Sequence, residues 1–106
     1  MDLSIVTVFP EKDEALVEVA GEVDISCASD LREELDRALE MGARSVVLDI
    51  AEMSYIDSTG IGVLVGFAKR AEEAGCAFTL RSPLKNVRRV FGLLGVLEQL
   101  GLEPRA

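Results

Sequence analysis

Two stretches of this chain carry apolar residues at helical spacing, and each leads through a glycine into a short run of strand character. In the first, Ala28, Leu31, Leu35, Ala38 and Leu39 share one stripe and Gly42 follows as a natural C′ residue. Residues 45–50 then bring Val46, Val47, Leu48 and Ile50. In the second, a helix over about 58–74 is closed by Gly75, and residues 76–81 form the next strand. A β-branched, mostly apolar run such as 45–50 suits a strand covered on both faces, as in a parallel sheet. Parallel strands need long crossovers, and those crossovers are right-handed. The pattern therefore directs the chain toward an α/β fold.

The remaining elements fit around that core. Residues 3–9 alternate, with Leu3, Ile5, Thr7 and Phe9 on one face and Ser4, Val6 and Val8 on the other. Pro10-Glu11-Lys12-Asp13 reads as a turn and 15–20 as a second strand, broken by Gly21, so the first two strands form an antiparallel hairpin. Ser26 is the expected N-cap of the first helix, over 27–41, where Asp30, Glu33 and Glu34 suit the positive end of the helix dipole. Ser82-Pro83 supplies an N-cap and N1 proline for a third helix with Leu84, Val87, Val90, Phe91 and Leu94 on one face. Residues 96–100 suit an optional last short helix, and 103–106 are expected to fray. The expected architecture is a single domain over 1–106. It has a four-stranded mixed sheet with an N-terminal antiparallel hairpin and three to four helices, those of the two crossovers on one side.

Composition narrows the function classes. An apolar share of 49% over 106 residues is enough for a core without staples. The two cysteines, Cys27 and Cys76, are far apart, no CxxC pair occurs and histidine is absent. That excludes the usual zinc patterns and any histidine-based triad, and leaves both thiols as small buried apolar groups, with nothing favouring a disulfide. The net charge of −8 opposes nucleic acid and anionic membrane surfaces. No run of ~18 apolar residues occurs, and Met1-Asp2-Leu3-Ser4 has no basic leader character. The expectation is a soluble cytoplasmic protein without cofactor or metal, not an enzyme, whose partner is a protein or a small ligand.

A loop over Ala51 to Asp57 is expected after the most buried strand, and the segment Met53-Ser54-Tyr55-Ile56-Asp57-Ser58-Thr59-Gly60-Ile61-Gly62 runs from it into a helix. Helix N-termini present free N–H groups and a partial positive charge, so a phosphate on a hydroxyl there meets favourable donors. The plainer reading is that Asp57 or Ser58 only caps the helix. At 100° per residue, Ile61, Leu64, Val65, Ala68 and Glu72 lie near one face as the core stripe. Thr59, Val63, Gly66 and Arg70 lie opposite, flanked by Gly62 and Phe67. A helix with one buried face should be polar there, and glycines inside a helix cost ~1 kcal/mol each relative to alanine. Close approach of a partner explains Gly62 and Gly66; cover by neighbouring elements of the same chain is the alternative. Gly60-x-Gly62-x-x-x-Gly66 misses the common dinucleotide spacing and comes too late after the strand. Asp24, after the second strand, lies near Asp57 and Ser58 if strands two and three are parallel neighbours; otherwise it is a turn carboxylate. Lys85, Arg88 and Arg89, with Arg81 upstream, form a basic patch that is either a solvated face or a rim for an acidic partner.

Gly21-Glu22-Val23-Asp24, Val47-Leu48-Asp49 running into Tyr55 through Leu64, and Val87-x-x-Val90-Phe91 together resemble the STAS domains, and within them the bacterial anti-sigma factor antagonists of sporulation and general stress control. The similarity spans about residues 3–100. It implies a partner switch in which the unphosphorylated antagonist binds an anti-sigma factor that is also a serine kinase, freeing the sigma factor. Phosphorylation of the motif serine, here Ser58, ends that binding, and a serine phosphatase restores it. The resemblance places Asp24, Asp57 and Thr59 beside the switch; Gly62, Val63, Gly66 and Phe67 complete the expected partner surface. The alternative is a STAS scaffold or transporter-accessory module without phosphorylation.

Overall fold

The computed structural model describes residues 3–102. Its sheet runs in the order β1-β2-β3-β4, with β1 (Ser4–Glu11) antiparallel to β2 (Glu14–Val23), and β3 (Ser45–Ile56) parallel to both β2 and β4 (Ala77–Arg81). Three helices join and flank the strands: α1 (Ala28–Glu40), α2 (Ser58–Glu73) and α3 (Lys85–Leu93). The hairpin, both crossovers and the α/β class follow the periodicities of the sequence.

The interior forms because each element turns one apolar set inward. β2 buries Ala15, Val17, Val19 and Val23. β3 buries Val46, Leu48 and Ile50, then Met53 and Ile56. α1 adds Ala28, Leu31, Leu35 and Ala38. The helices α1 and α2 pack chiefly on one another and are tied by Arg70, whose Nη2 donates to Asp36 Oδ1 at 2.8 Å. The backbone carbonyl of Asp13 accepts from the amides of Arg44 and Ser45 at 2.7 and 3.2 Å. The tip of the hairpin thus anchors the entry to β3.

Several expectations are corrected. The hairpin turn is Lys12-Asp13, since β1 reaches Glu11 and pairs it with Glu14. Gly21 does not end β2. At φ +103° it sits inside the strand, at a register shift between Gly21 and Glu22. Residues 51–56 belong to β3 and are not a loop; β3 carries two more residues than β2 opposite it, between the Glu18–Asp49 and Glu22–Tyr55 pairs. Ser26 does not cap α1: the cap position is Cys27, with no side-chain bond, and the Ser26 hydroxyl donates to Asp24 instead. Ser82-Pro83 does not open α3. Ser82 lies in the left-handed region at φ 61°, and the cap position is Leu84, again with no side-chain bond. Only Val87 and Phe91 of α3 are buried, while Leu84 and Leu94 are exposed. Residues 97–101 form turns and not a fourth helix. The expected fraying of 103–106 lies outside the described residues. Cys76 is buried as expected, and burial pushes its thiol upward; Cys27 is partly exposed.

Candidate functional site

The register of β2 and β3 builds the site. Val23 pairs with Ile56, so the next residues of the two strands, Asp24 and Asp57, leave the sheet side by side. The amide of Asp57 donates to the carbonyl of Val23 at 3.1 Å. The Asp57 carboxylate then holds two elements at once: Oδ1 accepts from the Gly60 amide at 3.0 Å, and Oδ2 accepts from the Ile25 amide at 3.1 Å. One side chain therefore caps α2 and fixes the turn that follows β2. Substituting it removes the acceptor of two backbone donors.

Asp24 organises the turn into α1. Its carbonyl accepts from the amides of Cys27 and Ala28 at 3.1 and 2.8 Å. Its carboxylate accepts from the Ser26 hydroxyl at 2.5 Å and the Ser26 amide at 2.9 Å. Those bonds, the hydroxyl's first, hold the Asp24 carboxyl below the ordinary carboxylate range. Asp24 is thus a turn carboxylate and a neighbour of Asp57 together.

Ser58 is the first residue of α2 and is exposed, as is Thr59. Neither hydroxyl is hydrogen-bonded to any described residue, and the amides of Ser58 and Thr59 precede the first intrahelical acceptor. The mouth of α2 therefore offers a free hydroxyl beside two free N–H donors, on a backbone held by Asp57.

The faces of α2 are rotated from the expected phase. The buried stripe is Gly60, Ile61, Leu64, Phe67 and Ala71. Val65 and Ala68 are only partly buried and Glu72 is exposed. Phe67, expected on the partner surface, has no exposed surface; its ring meets Phe78 edge-on at 5.0 Å. Gly60 lies deep in the site: a Cβ there would stand 2.7 Å from Ile56 Cγ1 and 2.8 Å from Val23 Cγ1. Only hydrogen fits where the helix mouth meets the ends of β2 and β3. Gly62 is the opposite case, with nothing within 4 Å of a Cβ. At Gly66 a Cβ would meet only the flexible end of Arg70, at 3.3 Å. Val63 is partly buried.

The structure brings together Asp24, Asp57, Ser58 and Thr59, with Gly62 one turn on, and removes Phe67 from their surface. It also adds two residues that residue type alone did not assign to this surface, Tyr55 of the motif and Ile25. Ile25, 78% exposed, and Tyr55, 49% exposed, flank the same edge of the sheet. The signal available for Ile25 was an isolated large apolar residue inside the polar run from Asp24 to Ser26. Among the described residues no cluster of potential metal ligands occurs, and no helix is long and apolar enough to cross a membrane.

Comparison with known proteins adds the family. The STAS domain profile matches residues 5–105. The anti-sigma-B factor antagonist of Bacillus subtilis (strain 168) is 31% identical over 101 residues, which cover 95% of this chain and 92% of that protein. Among solved structures, the anti-sigma factor antagonist SpoIIAA in its unphosphorylated form matches with a TM-score of 0.77 at 22% identity, covering 88% of this chain and 82% of its own. The Bacillus cell fate determinant SpoIIAA in its phosphorylated form matches at 0.73 and 21%, covering 91% and 87%. At these identities the two structures speak for the fold.

Proposed function

This chain belongs to the STAS domain family, with the anti-sigma factor antagonists as relatives, and we propose that it is a phosphorylation-controlled antagonist switched at Ser58. In this reading the unphosphorylated protein works in the cytoplasm. It binds an anti-sigma factor that is also a serine kinase, through the mouth and outer face of α2, and so releases a sigma factor. Phosphorylation of Ser58 ends the contact and a serine phosphatase restores it. Asp24, Asp57, Thr59, Gly62, Val63 and Gly66 form the contact surface, with Ile25 and Tyr55 at its edge. The observation that carries the reading is the exposed, unbonded hydroxyl of Ser58 on a helix mouth that Asp57 holds in place.

The chemistry of such a switch follows from charge. A phosphoserine brings about −1.5 to −2 at pH 7. At the helix N-terminus, beside the free amides of Ser58 and Thr59, that charge does not oppose the fold. In the free protein water screens it from Asp24 and Asp57. Docking removes the water, and a dianion about 6 Å from one carboxylate, at an effective dielectric of about 40, then costs roughly 3 kcal/mol, or ~100-fold in affinity. That this chain shares its fold with both the bare and the phosphorylated SpoIIAA supports a switch that leaves the fold intact.

The test is phosphate mapping. Incubation with the cognate anti-sigma kinase and ATP should add one phosphate, located at Ser58 by mass spectrometry. Ser58→Ala should bind the kinase equally well and lose all sensitivity to ATP. A phosphate found only at Thr59, or none, overturns the assignment.

A further inference from the structure

We infer that the outer side of α3, together with the turn that follows it, is a docking groove for an acidic amphipathic helix of a protein partner. The groove is distinct from the Ser58 surface. α3 packs chiefly on β3, whereas α2 packs chiefly on α1.

Three observations converge. The first is charge. Residues 74–97 contain four cations, Arg81, Lys85, Arg88 and Arg89, and no carboxylate, in a chain whose net charge is −8. Arg81 is neutralised by Asp49 at 2.9 Å. Lys85, Arg88 and Arg89 form no ion pair with any described residue, although they fall within five positions of one short helix. The second is shape. The turn after α3 folds back on it: Val96 N donates to Phe91 O at 3.0 Å, Leu102 N to Leu97 O at 2.8 Å, and Arg88 Nη2 to Leu102 O at 3.1 Å. Between α3 and this turn lies an open groove of about 970 Å³, with Gly92 on its wall, whereas three clefts elsewhere among the described residues measure about 290 to 330 Å³. The third is apolar surface. Leu93, 77% exposed, and Leu97 line the same groove as the cations.

A concave channel with cations along it and leucines at one end fits a helix that presents apolar residues on one face and carboxylates beside them. The acidic remainder of the molecule opposes anionic lipid and nucleic acid alike. The amino end of the groove adjoins the switch region, since Asn86 Nδ2 donates to the Ser54 carbonyl at 3.0 Å. None of the side chains lining the groove belongs to the contact surface proposed around Ser58.

The test is a nuclear magnetic resonance titration of the full chain. The probes are a set of amphipathic peptides of about 14 residues, roughly four helical turns, with leucines at i, i+3 and i+7 and glutamates flanking them. Counterparts carry glutamine or lysine in place of glutamate, and phosphatidylglycerol vesicles serve as the lipid arm. Acidic peptides should shift α3 and residues 94–102 and leave 57–62 unmoved. The glutamine and lysine peptides should bind at least about tenfold more weakly. The exposed variants Lys85→Glu/Arg89→Glu and Leu93→Ser should keep the parent's melting temperature and each lose roughly tenfold in affinity. Equal binding of the glutamine peptides, unchanged affinity of the charge-reversed variant, shifts confined to α2, or binding of the vesicles in place of every peptide would each overturn the groove assignment.

Discussion

Gly60 and Gly62 stand two residues apart in the same helix and serve opposite sides of it. Gly60 is buried, and a Cβ there would come within 2.8 Å of Val23 and closer still to Ile56. Gly62 is exposed, and a Cβ there would touch nothing. The inner glycine is required by the fold, because the mouth of α2 must sit against the ends of β2 and β3 for Asp57 to reach both Gly60 and Ile25. The outer glycine is not required by anything inside the molecule, yet it costs helix stability. The contrast separates what holds Ser58 in place from what meets a partner beside it.

The largest expected effect on stability is at the inner position. Gly60→Ala should destabilise the protein by about 1–3 kcal/mol through overpacking against Ile56 and Val23, lowering the melting temperature in a thermal scan. A melting temperature at or above the parent's would break the contrast. Gly62→Ala should move the other way, gaining about 1 kcal/mol of stability from helix propensity, while affinity for the anti-sigma partner falls by on the order of tenfold in calorimetry. Unchanged affinity would remove the partner role of the outer face. The smallest effect belongs to a carboxylate remote from both glycines. The Ala51 amide and then the Arg81 guanidinium hold the Asp49 carboxyl below its ordinary range. A depressed carboxyl contributes stability above its unfolded value, near pH 4, and loses it as pH falls through the folded value. Asp49→Asn should therefore flatten the acid limb of the stability profile below about pH 4, by less than about 1 kcal/mol, and leave partner affinity at pH 7 untouched. An acid limb as steep as the parent's would show that this ion pair contributes nothing.

The hairpin and the two crossovers were legible because each rests on local chemistry, alternation of period two and stripes of period 3.6, and the cap of α2 was narrowed by residue type to Asp57 or Ser58. What was not legible depended on partners distant in sequence. The buried positions of β3 run Val46, Leu48, Ile50 and then Met53 and Ile56, and that change of phase hides the strand's second half unless its pairing with β2 is known. The phase of α2 was misread because Ile61, Val63, Leu64, Val65 and Phe67 surround the helix with apolar groups. Gly60, which marks the true stripe, has no hydrophobic side chain to announce it. Ser26 and Ser82 were reasonable cap residues by type. The first has its hydroxyl taken by Asp24, and the second lies in a left-handed backbone conformation. Within the site, the motif residues, Tyr55 among them, were visible as a string, but Ile25 joins them only through the parallel register of β2 and β3, which brings its amide to Asp57.

The central claim is that the fold presents Ser58 outward, on a mouth it has already stiffened, so that a phosphate changes binding and not structure. Paired calorimetric titrations of the bare and the Ser58-phosphorylated chain against the same anti-sigma kinase test it most directly, with amide spectra of both forms recorded alongside. The account predicts ~100-fold weaker binding of the phosphorylated form, with spectral changes confined to the start of α2. Equal affinity of the two forms, or a phosphorylated chain that has lost its fold, would contradict it.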